Sequence, residues 1–303
     1  MPKRYSTARG REFGAGMRAA IAQTGMNGHQ FAGLMGWQEA KVSDMSAGKG
    51  GVTLIEVAMA LGACRVAAAE RDHLLQLFPG TELEGWWQQY GERAPVRSRT
   101  AHLHVSAAKT LVGWHTHAIP LLLQTPEYTR ALLRGSATIP EDEVDERLRA
   151  VHEMQLLLSN DLSCTFYIHE RALDLQVGEL DEHLAQLHRV KHLASWSKIR
   201  IRVVPKSARA HPGMAGPFTL LKFHEPAYQP MVWTETENSS LFVESTLAVK
   251  GYESVVLALD AISLNEDKSV TLVTRLLEAD DGQLTELSDR DGPFPPTKRL
   301  PPR

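Results

Sequence analysis

Thirteen histidines in 303 residues are the first chemical resource of this chain. Four of them form two His-x-His pairs, His102/His104 and His115/His117. On a strand such a pair sets both imidazoles on one face, which suits a metal ion. On a helix the same spacing sends them about 200° apart, given 3.6 residues per turn. Residues 103–118 read as helix, so no metal is assigned to either pair. Trp114, His115, His117, Gln124 and His211 stand instead as candidates to line a ligand or partner pocket. His188 and His192 share a helical face with Lys191, a solvated pattern. Motifs for covalent or phosphoryl chemistry are missing: no Walker loop, GxGxxG, GxSxG or HExxH occurs. Glu235, Glu237 and Glu244 fall on strand and turn positions with no sign of pairing. No catalytic residue and no cofactor is therefore assigned.

The background composition narrows the classes further. With 43% hydrophobic residues the chain can bury a sizeable core, and its length suits two domains. A net charge of −3 is not that of a protein that binds nucleic acid along its whole length, so a local basic face would have to do so. Cys64 and Cys164 lie far apart and read as buried free thiols in a reducing compartment. The charged start (Lys3, Arg4, Arg9, Arg11) is followed by no apolar signal region. The apolar run from Leu54 to Ala69 is interrupted by Glu56 and Arg65 and is too short for a bilayer. A soluble, cytoplasmic protein without membrane contact is expected.

The elements that must position these residues fall into five stretches. Residues 1–11 read as a basic flexible arm. Residues 12–78 are helical in pattern with short Gly-containing breaks, as in a compact five-helix domain. Residues 79–100 make a connector in which Trp86-Trp87 serves as an anchor. Residues 101–287 mix periods: helices over 103–118, 126–134, 143–158, 179–196, 247–264 and 267–278. Strands fall at 164–169, 199–204, 218–223 and 231–236. IRIRVV (199–204) alternates β-branched residues with arginine, the pattern of a half-buried strand. Residues 288–303 are Pro-rich and charged, a disordered tail. The fold expected is mainly α with an α+β C-terminal part, its helices packed on a small, mostly antiparallel sheet.

Within the helical domain, GHQFAGLMG (28–36) suits a bracing helix with Phe31, Ala32, Leu34 and Met35 inward. WQEAKVSDMSAG (37–48) suits a recognition helix with Val42 and Met45 inward. Gly25-Met26, Phe31-Ala32, Met35-Gly36 and Val42-Ser43 with Gly48 carry a resemblance to the repressor-like, or Xre-type, helix-turn-helix. That resemblance implies DNA binding, with Arg18, Gln38, Lys41 and Ser43 as contacts and Lys3, Arg4 and Arg9 as backbone anchors. The chain departs from the family at Gly28, Asp44 and Ser46. Residues 36–60 carry Lys41 and Lys49 against Glu39, Asp44 and Glu56, an excess of negative charge that phosphates repel. The alternative is a helical domain that keeps its core without the DNA surface, or that serves dimerisation.

IPLLLQTPEYTRALL (119–133), IRIRVVP with HPGMAGPFTLLKF (199–223), and VWTETE (232–237) carry a second resemblance. It is to the large antitoxin-like domain that follows Xre-type heads in actinobacterial regulators. Thr125 with Pro126 makes a helix start. The prolines and glycines of 212–217 make a tight connector presenting His211. Turn chemistry plus core explains these motifs, and a ligand or partner pocket is the other reading. Val105, Ala107, Leu121, Val151, Met154 and Gln155 stand where the family has charged or small residues. Such replacements enlarge a core or make an apolar pocket.

The leading expectation is a homodimeric transcriptional regulator. It would act on its own or a neighbouring promoter, and its body would hold a small-molecule effector or a small partner protein. The alternatives are a relative whose apolar, His-containing body binds or transforms an organic molecule, and an antitoxin-like interaction module.

Overall fold

The computed structural model describes residues 5–89, 95–226, 228–237 and 239–288. The chain opens with α1 (Ala8–Gln23), α2 (Gly28–Met35), α3 (Glu39–Ser46), α4 (Leu54–Ala63) and α5 (Ala68–Leu77). Polar caps fix where these short helices begin. The Thr7 hydroxyl accepts from Gly10 N, and reciprocal capping boxes join Asn27 to Gln30 and Thr53 to Glu56. Gly36 ends α2 at φ 65, the left-handed conformation that glycine adopts without strain. Phe13, Met17, Phe31, Val42, Met45 and Leu61 meet in one apolar core. Leu34, expected inward, is exposed, because the α2 stripe facing α1 and α3 is carried by Phe31 and Ala32.

The flexible arm expected over 1–11 is corrected at its C-terminal end. Ala8 starts α1, and Arg11 and Glu12 are buried within it. Gly48 explains part of this closeness. It sits at φ 67, and a Cβ there would lie 1.8 Å from Gly10 O, so the α3–α4 turn packs backbone to backbone on α1.

The rest of the chain continues with β1 (Trp86–Gln89), α6 (Pro95–Ser106), β2 (Ala108–His115), α7 (Pro126–Gly135), α8 (Val144–Leu156), β3 (Ser163–His169) and α9 (Glu170–Asp174). It ends with α10 (Leu180–Leu193), β4 (Ile199–Val204), β5 (Phe218–Phe223), β6 (Met231–Glu235), β7 (Ser239–Val243), α11 (Thr246–Ile262) and α12 (Glu266–Ser288). Among the described residues the strands form one seven-stranded sheet in the order β1-β7-β6-β5-β2-β3-β4. β2, β3 and β4 run parallel; the other neighbours are antiparallel. The chain is thus mainly α with an α+β C-terminal part, around a larger and more mixed sheet than its sequence predicts.

Two expectations give way here. The stretch 79–100 is not a mere connector, since it holds β1 and the start of α6. The helix expected over 103–118 stops at Ser106, and β2 follows. β2 is a central strand between β3 and β5, apolar on both faces, so it lacks the alternation that marks a strand. Leu111 and Trp114, three apart, mimic a helical stripe instead.

The sheet has two unlike faces. On the closed face Phe166, Ile168, Ile201, Leu221 and Phe242 pack under residues such as Tyr128 of α7, Met154 of α8, Leu187 of α10 and Val273 of α12. On the open face Trp114, Tyr167, Phe218 and Val232 pack under α11 through Val249, Tyr252, Val255 and Leu259. The first helix joins the closed face. Ala8 belongs to the closed-face core, and the Arg11 guanidinium lies over the rings of Phe223 and Tyr228 at 4.9 and 5.1 Å.

Candidate functional site

α2, its turn and α3 form the surface on which nucleic-acid contact was expected. Val42 and Met45 hold α3 against the helical core, which leaves Gln38, Glu39, Ala40, Ser43 and Asp44 on the outside. Gln38 occupies the N-cap of α3 without a side-chain cap bond, so its amide projects outward. Arg18 reaches from α1 to the Ser46 carbonyl and borders an open cleft of about 580 Å³ together with Met26, His29, Glu39 and Ser43. Arg18 and Ser43 therefore border the same cleft, and Gln38 is exposed at the start of α3.

Lys41 is differently placed. Its ammonium pairs with Glu56 and lies 4.9 Å from the Trp37 ring centroid, so its charge is already shared. The Lys41 hydrogen bond, followed by the Thr53 backbone N–H, holds the Glu56 carboxyl below its ordinary value. Glu39 accepts from His29 at 2.6 Å, and Asp44 is exposed. Arg9 is a strut, not a free anchor. Its guanidinium donates to Leu77 O at 2.7 Å and Gln76 O at 2.5 Å, capping the carbonyl end of α5. Lys3 and Arg4 lie outside the described residues.

The two motifs of the second resemblance are scaffolding in their geometry. In PLLLQT, Gln124 Nε2 donates to Ile119 O at 2.7 Å, while its Oε1 accepts from Thr129 at 2.9 Å. Gln155 Nε2 donates to Leu121 O and Gln124 O, both at 2.9 Å, and Gln186 bridges Leu123 O and Thr125 N. Three glutamines thus satisfy the polar backbone of a loop that the core would otherwise leave unpaired. Gln124 is buried, with both ends of its amide engaged in this network.

In HPGMAGPF, Gly213 O accepts from Trp114 Nε1 at 2.7 Å. A Cβ on Gly213 would come within 2.9 Å of both Trp114 and Leu259, so glycine is required by close approach. The remaining pocket candidates separate. Trp114 and His115 are adjacent in β2 and so face opposite sides of the sheet. Trp114 meets His211 and His169 edge-on at ring-centroid distances of 5.7 and 6.3 Å. His115 packs near Phe166 on the closed face, where burial lowers its pKa to about 4. His117 is exposed beside Thr116. Among the described residues no group of three or more His, Cys, Asp or Glu is placed to hold a metal.

The family model described as a domain of unknown function, DUF5753, matches residues 98–275. The chain belongs to the DUF5753 family. No curated protein and no solved structure matches it. The match runs from within α6 to within α12, and so takes in both motif loops. Among the described residues of this DUF5753 protein, no helix is long and apolar enough to cross a membrane.

Two features escape the sequence reading. One is the junction between α1 and the DUF5753 domain. Glu244 Oε1 accepts from Ala8 N at 2.7 Å and from Arg11 Nη2 at 3.3 Å, and both side chains are buried. Burial pushes the Glu244 carboxyl up against the opposing effect of Arg11. Their 233-residue separation hides the pair. The other is a groove of about 710 Å³ on the open face, lined by residues from five separate elements, β2, β3, β4, β5 and α11.

Proposed function

We propose that this DUF5753 protein is a transcriptional regulator that binds DNA through α3 and carries a sensory or partner-binding body. The observation that carries the reading is the α2–α3 pair itself. A Gly36 turn joins two eight-residue helices, and the outward side of the second is exposed, with Gln38 and Ser43 on it and Arg18 beside it. Two such heads in a homodimer would meet half-sites about one helical turn, 34–36 Å, apart. The buried Arg11–Glu244 contact supports a route from body to head, because α1 is shared by both.

The test is titration of the full chain onto duplex DNA from upstream of its own gene, from low to physiological salt. Selective binding with a steep salt slope, lost in Ser43→Glu at unchanged Tm, is the expected result. Binding no tighter than to scrambled duplex at low salt overturns the reading. A specific observation favours a second one. Lys41 is tied to Glu56, and Glu39 and Asp44 remain on the outer surface of α3, which suits a head that docks a small partner protein. Co-purification of such a protein without DNA affinity is the outcome that selects it.

A further inference from the structure

We infer that the groove on the open face of the sheet binds a small amphiphilic anion, with a carboxylate or phosphate-ester head on an apolar body. The groove exists because α11 covers only part of its face. Val249, Tyr252, Val255 and Leu259 press on the area around Trp114 and Phe218. The opposite end, where β2, β3 and β4 begin and β5 ends, is left uncovered. Its volume of about 710 Å³ lies in the range of pockets that hold drug-sized ligands.

The sheet register decides which chemistry the groove presents. Thr165 is paired with Arg200 and Thr110 with both Ser163 and Lys222, so alternate positions of four strands put cations and hydroxyls on one face. Lys198 adds a third cation. Arg200 is the least engaged, being 71% exposed with its nearest carboxylate, Glu266, at 3.9 Å. Lys198 and Lys222 hold Asp161 and Glu253 at 2.7 and 2.6 Å, exposed pairs of the kind that contribute little and exchange partners readily. The lining holds three cations and, among the described residues, the one carboxylate Glu253, while Asp161 and Glu266 meet Lys198 and Arg200 from outside it. That balance, with hydroxyl donors beside a planar guanidinium, suits an oxygen-rich anionic head.

The other wall is apolar. Leu220 forms the floor, and Val256 and Leu257 of α11 stand beside it. Leu257 is 72% exposed, a large apolar side chain held in solvent at the rim of a charged groove. Burying its surface against an apolar ligand body would add about 25 cal/mol per Å² covered. A purely ionic ligand would leave this wall idle, and a purely apolar one would leave the cations unmatched. This deepens the regulator reading by placing its effector, and it rests on that reading only for what the binding accomplishes.

The experiment is calorimetric titration of the full chain, without DNA, using decanoate, monodecyl phosphate and 1-decanol below their aggregation limits. At least one of the two anions is expected to bind, at least tenfold more tightly than decanol. Which anion binds more tightly names the head group. Arg200→Glu and Leu257→Asp, both exposed substitutions that leave the cores untouched, should each weaken it tenfold or more. Arg149→Glu, on the exposed side of α8, should leave it unchanged. No binding of either anion, equal binding of decanol, or affinity indifferent to either groove substitution overturns the proposal. Because DNA is absent throughout, failure here is distinct from failure of the DNA-binding reading.

Discussion

The two faces of the one sheet differ in what they have been built to do. The closed face is roofed by α7, α8, α10 and α12 and also receives the first turns of α1. Buried polar groups there are engaged in networks, Arg11 with Glu244 and the glutamines with loop carbonyls. The open face is roofed by α11 and the Gly213 turn, and beyond them it keeps charged groups in solvent. Closed surfaces fix geometry, whereas half-covered ones keep groups with unspent bonding capacity. The difference therefore assigns stability to one face and recognition to the other.

That assignment can be broken by a graded series of substitutions, each read by urea unfolding. Glu244→Ala should be the most damaging, at about 3–5 kcal/mol, because it strands the Arg11 guanidinium in a buried site. Gly213→Ala, at the roofed end of the open face, should cost about 1–3 kcal/mol by forcing a Cβ against Trp114 and Leu259. His104 gives the closed face a pH signature. Burial, then the nearby Arg11 charge, lowers its pKa from 6.5 to about 3. The unfolded chain thus takes up the proton first, and stability falls as pH drops from 6.5 toward 3, by about 1.4 kcal/mol per pH unit for this residue. His104→Asn, which keeps a donor toward Thr100, should flatten that part of the profile between pH 6.5 and 5. The smallest effect belongs to the groove: Arg200→Glu should change stability by less than about 0.5 kcal/mol. A cost comparable to that of Glu244→Ala would erase the distinction between the faces.

The legible parts of the fold are those in which local chemistry and global position agree. IRIRVV reads as a strand because β4 lies at the sheet edge with one arginine row outward. The Thr125 cap and Pro126 mark the start of α7 within a residue. Illegible parts depend on partners distant in sequence. Nothing in Ala108–His115 announces a strand, since its neighbours on both sides complete the burial that makes it one. β1 and β7 are short and pair with each other, 156 residues apart at Trp86 and Phe242. The site follows the same rule. Gln38, Ser43 and Arg18 are exposed, as outward positions of a helical period would be, but that period could not show Lys41 meeting Glu56. Adjacent Trp114 and His115 look like one cluster and face opposite sides. Lys198, Arg200 and Lys222 look like scattered surface charges until register gathers them.

α1 has a consequence for how the molecule comes apart. Ala8 is counted in the closed-face core, while Phe13, Met17 and Ile21 on the same helix belong to the helical core. A single rigid rod is thereby driven into two bodies, like a dowel through a joint. Neither body can melt without withdrawing the dowel from the other. Heating should therefore give one calorimetric transition whose van't Hoff and measured enthalpies agree, in place of the two steps that independent lobes would show. Cutting the backbone between Gln89 and Pro95 should leave both fragments travelling together through a sizing column.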